Sequence, residues 1–82
     1  MTREEIKANT IAMFLEIVPE VEAEKLDAEV SFRDQVEIDS IEYLNFVLAL
    51  EKRLGIKIPE VDYPKLASLD GCLSCLEPKV KG

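Results

Sequence analysis

From Ser40 to Leu54 the chain carries neither proline nor glycine, and no other stretch constrains the fold as tightly. Asp39, just before it, is a strong N-cap: its carboxylate can accept a hydrogen bond from a first-turn amide that has no partner within the helix. Glu42 lies three residues on, the spacing of a capping box with Asp in the usual Ser/Thr place. Gly55 stands where a left-handed C-terminal cap is wanted. Ile41, Leu44, Val47, Leu48 and Leu54 fall on one side at helical spacing. Ser40 therefore falls in the first turn or at the cap. Its hydroxyl faces free backbone amides and the positive end of the helix dipole, conditions that favour a phosphate bonded to it. Taken alone, an Asp-Ser pair at a helix start more often means shared capping.

The rest of the chain supplies helices for this one to pack against. Thr2 and Glu5 repeat the capping-box spacing. Ile6, Thr10, Met13, Phe14 and Ile17 form a helical stripe, so a first helix is expected over residues 3–18, stopped by Pro19. Ile11 and Leu15 fall off that stripe and either widen it or meet a partner. Residues 20–38 form a long acidic connection pinned by Val21, Leu26, Val30, Phe32 and Val36, with a helical turn expected over 22–25. Residues 56–59 read as an extended link whose isoleucines enter the core. Glu60–Ala67 is expected to be a short helix, with Pro64 suited to its first turn. Ser68 caps a last helix in which Leu69, Cys72, Leu73 and Leu76 follow i, i+3, i+4, i+7. Gly71 weakens that helix by about 1 kcal/mol relative to alanine, and is expected to permit close approach of another helix. Pro78 is expected to end it, leaving 79–82 as a frayed tail. The pattern predicts an all-α fold: one domain over 1–82, a small four-helix bundle of three longer helices and one short one, with a long loop between helices 1 and 2.

Composition narrows the function. Nine acids and two bases lie within residues 20–42, which accounts for the whole net charge of −7. The segment before Ser40 thus carries the protein's field, which repels nucleic acid and attracts basic protein surfaces. With 82 residues and no His, neither a Ser-His nor a Cys-His catalytic pair can form, and the commonest zinc ligand is missing. Cys72 and Cys75 share C-x-x-C spacing but lie inside a predicted helix with no strand before it. Small packing residues are the expectation, rather than a redox pair or a metal site. The acids lack the central glycine and alternation of an EF-hand loop. Neither a signal peptide nor an apolar run of membrane-spanning length is seen, so a cytoplasmic protein is expected; a monomer is expected as well.

The order Asp39-Ser40-Ile41 at a helix start, Leu44, Ala49-Leu50-Glu51, then Ile58-Pro59 after the helix resembles the acyl carrier protein family. That family is marked by Asp-Ser-Leu, with the serine carrying 4′-phosphopantetheine. Ser31-Phe32-Arg33-Asp34 is similar to its approach to the motif, and the resemblance runs over residues 26–76. Glu37 stands where the family often has glycine, and Ile41 replaces the usual leucine. The resemblance implies a non-catalytic carrier with 4′-phosphopantetheine attached to Ser40 by a phosphopantetheinyl transferase. Asp39 would assist by capping the helix and approaching the transferase's metal. It implies acyl chains held as thioesters and passed to acyl-transfer or synthase enzymes with basic patches, in fatty-acid or related lipid or polyketide synthesis. Glu37, Ile41, Glu42 and Asn45 would face those partners; Asn45 stands where many relatives have an acid. Leu44, Leu48, Leu69 and Leu73 are each expected as plain core, with parting of the two faces to admit a chain as the alternative. Two other readings compete: an aminoacyl or peptidyl carrier, and an unmodified helical adaptor that binds a partner through the helix from Ser40 to Leu54.

Overall fold

Side chains that satisfy free amides start each long helix. The computed structural model describes residues 2–81, with the backbone alone for Lys81. Helix α1 spans Arg3–Ile17, and its N-cap Thr2 forms the reciprocal capping box with Glu5. A 3-10 turn comes next at Ala23–Lys25, then a short helix, α2, at Phe32–Gln35. Helix α3 spans Ser40–Leu54 and ends at Gly55, whose φ of 65° is left-handed and favours glycine. A 3-10 segment at Glu60–Ala67 leads into α4, Leu69–Lys81. No strand occurs among the described residues. The fold is the expected all-helical bundle: α1 packs on α3 and α4, and α4 packs on the 3-10 segment.

The core centres on the chain's three phenylalanines. Phe14 of α1 and Phe32 of α2 stack with centroids 4.4 Å apart. Phe46 of α3 meets both edge-on, at 5.4 Å and 5.6 Å. These are favoured aromatic geometries, and full burial of each ring stabilises the fold by roughly 1.5–3 kcal/mol. Ile6, Val18, Val47, Leu50, Ile58, Leu66, Leu76 and Cys72 surround them, all buried. Thr10 is buried with its hydroxyl donating to the Ile6 carbonyl at 2.8 Å, so its polarity costs little.

The long connection holds a second turn beyond the one expected over 22–25: Phe32–Gln35 closes a helical turn that buries its first ring. Gln35 then braces the segment: its amide nitrogen donates to the carbonyls of Asp27 and Val30, and its oxygen accepts from the Asp27 amide. Pro64 lies well inside the 3-10 segment rather than in its first turn. And α4 continues through Pro78 to Lys81 instead of stopping there. Pro78 has no N–H and so forfeits a ladder bond, but the residues beyond it are anchored. Lys79 pairs with Asp62 at 3.0 Å, and Val80 packs against the core. The tail expected to fray is thus helical through Lys81; Gly82 lies outside the described residues.

The junction between the 3-10 segment and α4 depends on Gly71. Ser68 Oγ accepts from the Gly71 amide at 3.1 Å, the expected cap. A Cβ on Gly71 would sit 2.2 Å from the Lys65 carbonyl oxygen, which is backbone and cannot rotate away. Helix propensity alone favours alanine there by about 1 kcal/mol; the overlap outweighs it. Gly71→Ala should lower stability by roughly 1–3 kcal/mol in urea unfolding. An unchanged or raised midpoint would show that propensity wins.

Candidate functional site

Local sequence builds the start of α3. Asp39 Oδ1 accepts from the Glu42 amide at 2.7 Å, and Glu42 Oε1 accepts from the Asp39 amide at 3.1 Å. This pair does the capping, so Ser40 is released from that duty. Ser40 is exposed as the first residue of α3, and its hydroxyl accepts from Arg33 Nη2 at 3.0 Å. Arg33 reaches it from the α2 turn, seven residues upstream. The hydroxyl therefore stands in solvent at the positive end of a 15-residue helix, with a guanidinium beside it. An exposed hydroxyl there, next to a cation, fits an anionic phosphate ester.

The stripe that helical spacing picks out on α3 coincides only in part with its buried face. Phe46, Val47 and Leu50 are buried and Tyr43 and Leu54 half-buried, whereas Ile41, Leu44 and Leu48 are 72%, 43% and 47% exposed. Two apolar stripes share this helix, and the one that carries the aromatic ring goes inside because it removes more surface from water. Tyr43 and Phe46 at the inner spacing were the signal for this. The outer stripe leaves apolar side chains exposed along α3 from the residue after Ser40, and Val61 on the 3-10 segment is 78% exposed. Of the residues expected to face partners, Glu37, Ile41 and Asn45 are exposed and Glu42 half-buried in its capping role. Arg33 had no sequence signal as a neighbour of Ser40, because only the α2 turn folds it back.

Elsewhere the chemistry is structural. Cys72 is buried with its thiol toward the Leu66 carbonyl, and burial pushes its pKa far up. Cys75 is half-buried and also shifted upward by desolvation, so neither thiol is activated. Asp62 is clamped by Lys79 and Lys65, and hydrogen bonds from both hold its carboxyl below the usual range. Among the described residues no group of three or more His, Cys, Asp and Glu side chains is gathered to hold a metal.

The chain matches the family model described as "Phosphopantetheine attachment site" over residues 9–71. It is 36% identical to the acyl carrier protein of Bdellovibrio bacteriovorus over 74% of this chain and 78% of that protein. The chain belongs to the acyl carrier protein family. Another relative is the acyl carrier protein of Thermosynechococcus vestitus, 32% identical over 73% of this chain and 74% of that one. The meromycolate extension acyl carrier protein of Mycobacterium leprae is 31% identical over 94% of this chain and 66% of that one. The family role is a non-catalytic acyl carrier in fatty-acid or related synthesis, with covalently attached 4′-phosphopantetheine.

Tyr43, one turn into α3, ties this region to the 3-10 segment: its hydroxyl donates to the Tyr63 carbonyl. Burial raises its pKa from 10.0 to about 12, with Cys72 adding to the shift and the charge of Arg33 opposing it. A raised folded-state pKa means that Tyr43 contributes stability fully below its unfolded pKa and loses it as the pH climbs through the folded value. Stability should therefore fall between pH 10.0 and about 12, and Tyr43→Phe should flatten that fall. At neutral pH the variant should lose roughly 1 kcal/mol for the hydrogen bond. A fall of equal slope in both proteins would remove Tyr43 from the explanation.

Proposed function

We propose that Ser40 is the residue that carries 4′-phosphopantetheine, and that the loaded chain holds acyl groups as thioesters for partner enzymes. The observation that carries this reading is the freed hydroxyl. Asp39 and Glu42 cap α3 between themselves, leaving Ser40 Oγ exposed and hydrogen-bonded to Arg33. In the transfer, Ser40 Oγ attacks the phosphorus that bears the pantetheine portion of coenzyme A. The bond from that phosphorus to the adenosine bisphosphate portion breaks, and the hydroxyl proton passes to a base of the phosphopantetheinyl transferase. The bound group supplies a distal thiol for the thioester, so the two cysteines are not needed for acyl attachment. Asp39 keeps the helix start in shape for the transferase. Incubation with coenzyme A and a broad-specificity transferase should add one phosphopantetheine by intact mass. Ser40→Ala should abolish the addition, and Cys72→Ala with Cys75→Ala should not. Addition at another serine, or none with several transferases, would favour the unmodified adaptor.

We further infer a cytoplasmic monomer that serves a dedicated pathway. No helix among the described residues is long and apolar enough to cross a membrane. Glu37, Asp39 and Glu42 make the start of α3 acidic and suited to basic patches on synthases and acyltransferases. The far end differs. Glu51 is turned away to accept from the Ile58 amide at 2.7 Å, while Lys52 and Arg53 are exposed and Asn45 adds no charge. A partner that reads acid along the whole helix is therefore poorly matched. Asn45→Glu/Lys52→Glu/Arg53→Glu should be elongated several-fold faster than the parent by a general fatty-acid synthase set. Equal rates, with the parent as good as an ordinary carrier, would end the specialisation reading.

A further inference from the structure

Arg33 is the single arginine in a segment with nine acids, residues 20–42. Asp34, Glu37, Asp39 and Glu42 are all near it in sequence. Yet among the described residues it forms no ion pair. Its Nη2 donates instead to a neutral hydroxyl, Ser40 Oγ. A carboxylate would add the attraction of a full opposite charge, which a neutral hydroxyl cannot. Asp39 and Glu42 are engaged with each other's amides, and the stacked Phe32 holds the turn that carries Arg33 against the core. The cation is thus held beside the one oxygen on which an anion is to be built.

We propose that Arg33 is the phosphate-anchoring residue of this carrier, pairing with the phosphodiester once it is formed on Ser40 Oγ. The proposal rests on the reading of Ser40 as the attachment residue. A phosphate esterified to Oγ has its charged oxygens two bonds from the atom that Nη2 already touches. A guanidinium has five donors in a planar fork, so the cation-to-hydroxyl bond of the unmodified chain becomes a full ion pair with the geometry for two parallel bonds. Lysine would supply the charge without the fork. The pairing would hold the root of the arm against the start of α3 and offset the repulsion between a new anion and the acids around it. Both partners are exposed, so salt should weaken it.

A mere tie between α2 and α3 would stabilise the unloaded and the loaded chain alike; a phosphate anchor favours the loaded one. The test compares melting temperatures before and after loading for the parent, Arg33→Gln and Arg33→Lys, with the arm mapped to Ser40 by peptide mass. In the parent, loading should raise the melting temperature by roughly 1–5 °C at low salt. At about 0.5 M salt that rise should shrink, because the screening length falls to a few ångströms. Arg33→Gln should lose at least half of the rise, and Arg33→Lys should fall between. The phosphorus resonance of the loaded chain should move in Arg33→Gln and stay in the control Lys57→Gln. An arm on Ser40 with the same rise in all three proteins overturns the Arg33 assignment alone. No arm on Ser40 in the parent overturns the attachment reading and this proposal together. Should Arg33→Gln not fold, the salt series on the parent and Arg33→Lys decides, and a salt-independent rise counts against the pairing.

Discussion

The stack of Phe32 on Phe14, closed by the edge of Phe46, is the interaction on which the rest of the structure depends. A segment as acidic as residues 20–42 has little reason to lie on the protein by charge alone. Burial of Phe32 supplies the reason, and removal of such a ring typically costs about 3–5 kcal/mol. Polar contacts then set the path. Gln35 ties the segment to itself, and the Asp70 amide at the start of α4 donates to the Ala28 carbonyl at 2.9 Å. Because Phe32 points in, its neighbour Arg33 is exposed, and the turn sets it beside Ser40.

Around Ser40 the polar groups divide their duties. Asp39 and Glu42 complete the helix cap, and their side chains are engaged in doing so. Ser40 is then free for chemistry, and Arg33 is the nearby cation. The same two acids also contribute to the negative field that basic partner surfaces would meet. One pair of residues thus serves the helix start, the attachment reading and the docking reading, through a single local geometry.

The other half of the molecule presents the apolar surface. The 3-10 segment is held by Asp62 between Lys65 and Lys79, by the Tyr43 hydroxyl and by the close approach of Gly71 to the Lys65 carbonyl. This keeps Val61 outward, on the segment to which Tyr43 ties the first turns of α3. The sequence reads Leu44 and Leu48 as core residues and Ile41 as facing partners; all three are exposed. They lie outside because α1 and α3 join through the face that holds Phe46.

Residue pattern alone determined whatever is decided within a helical turn. Both capping boxes, the left-handed Gly55, the Ser68 cap, the start and end of α3 and the buried stripe of α4 were legible, because each depends on residues at most a few positions apart. So was the identity of Ser40 as a candidate, from its place in the Asp-Ser-Ile motif. Only the tertiary structure decided which of two apolar stripes on α3 goes inside, since both have helical spacing and the choice depends on what α1 and α2 offer to pack against. It also carried α4 past Pro78, because Asp62 lies where it can hold Lys79, and folded the Phe32 turn so that Arg33 meets Ser40. Those outcomes depend on partners far away in the chain or brought together by burial, and no local pattern encodes the energy of meeting them.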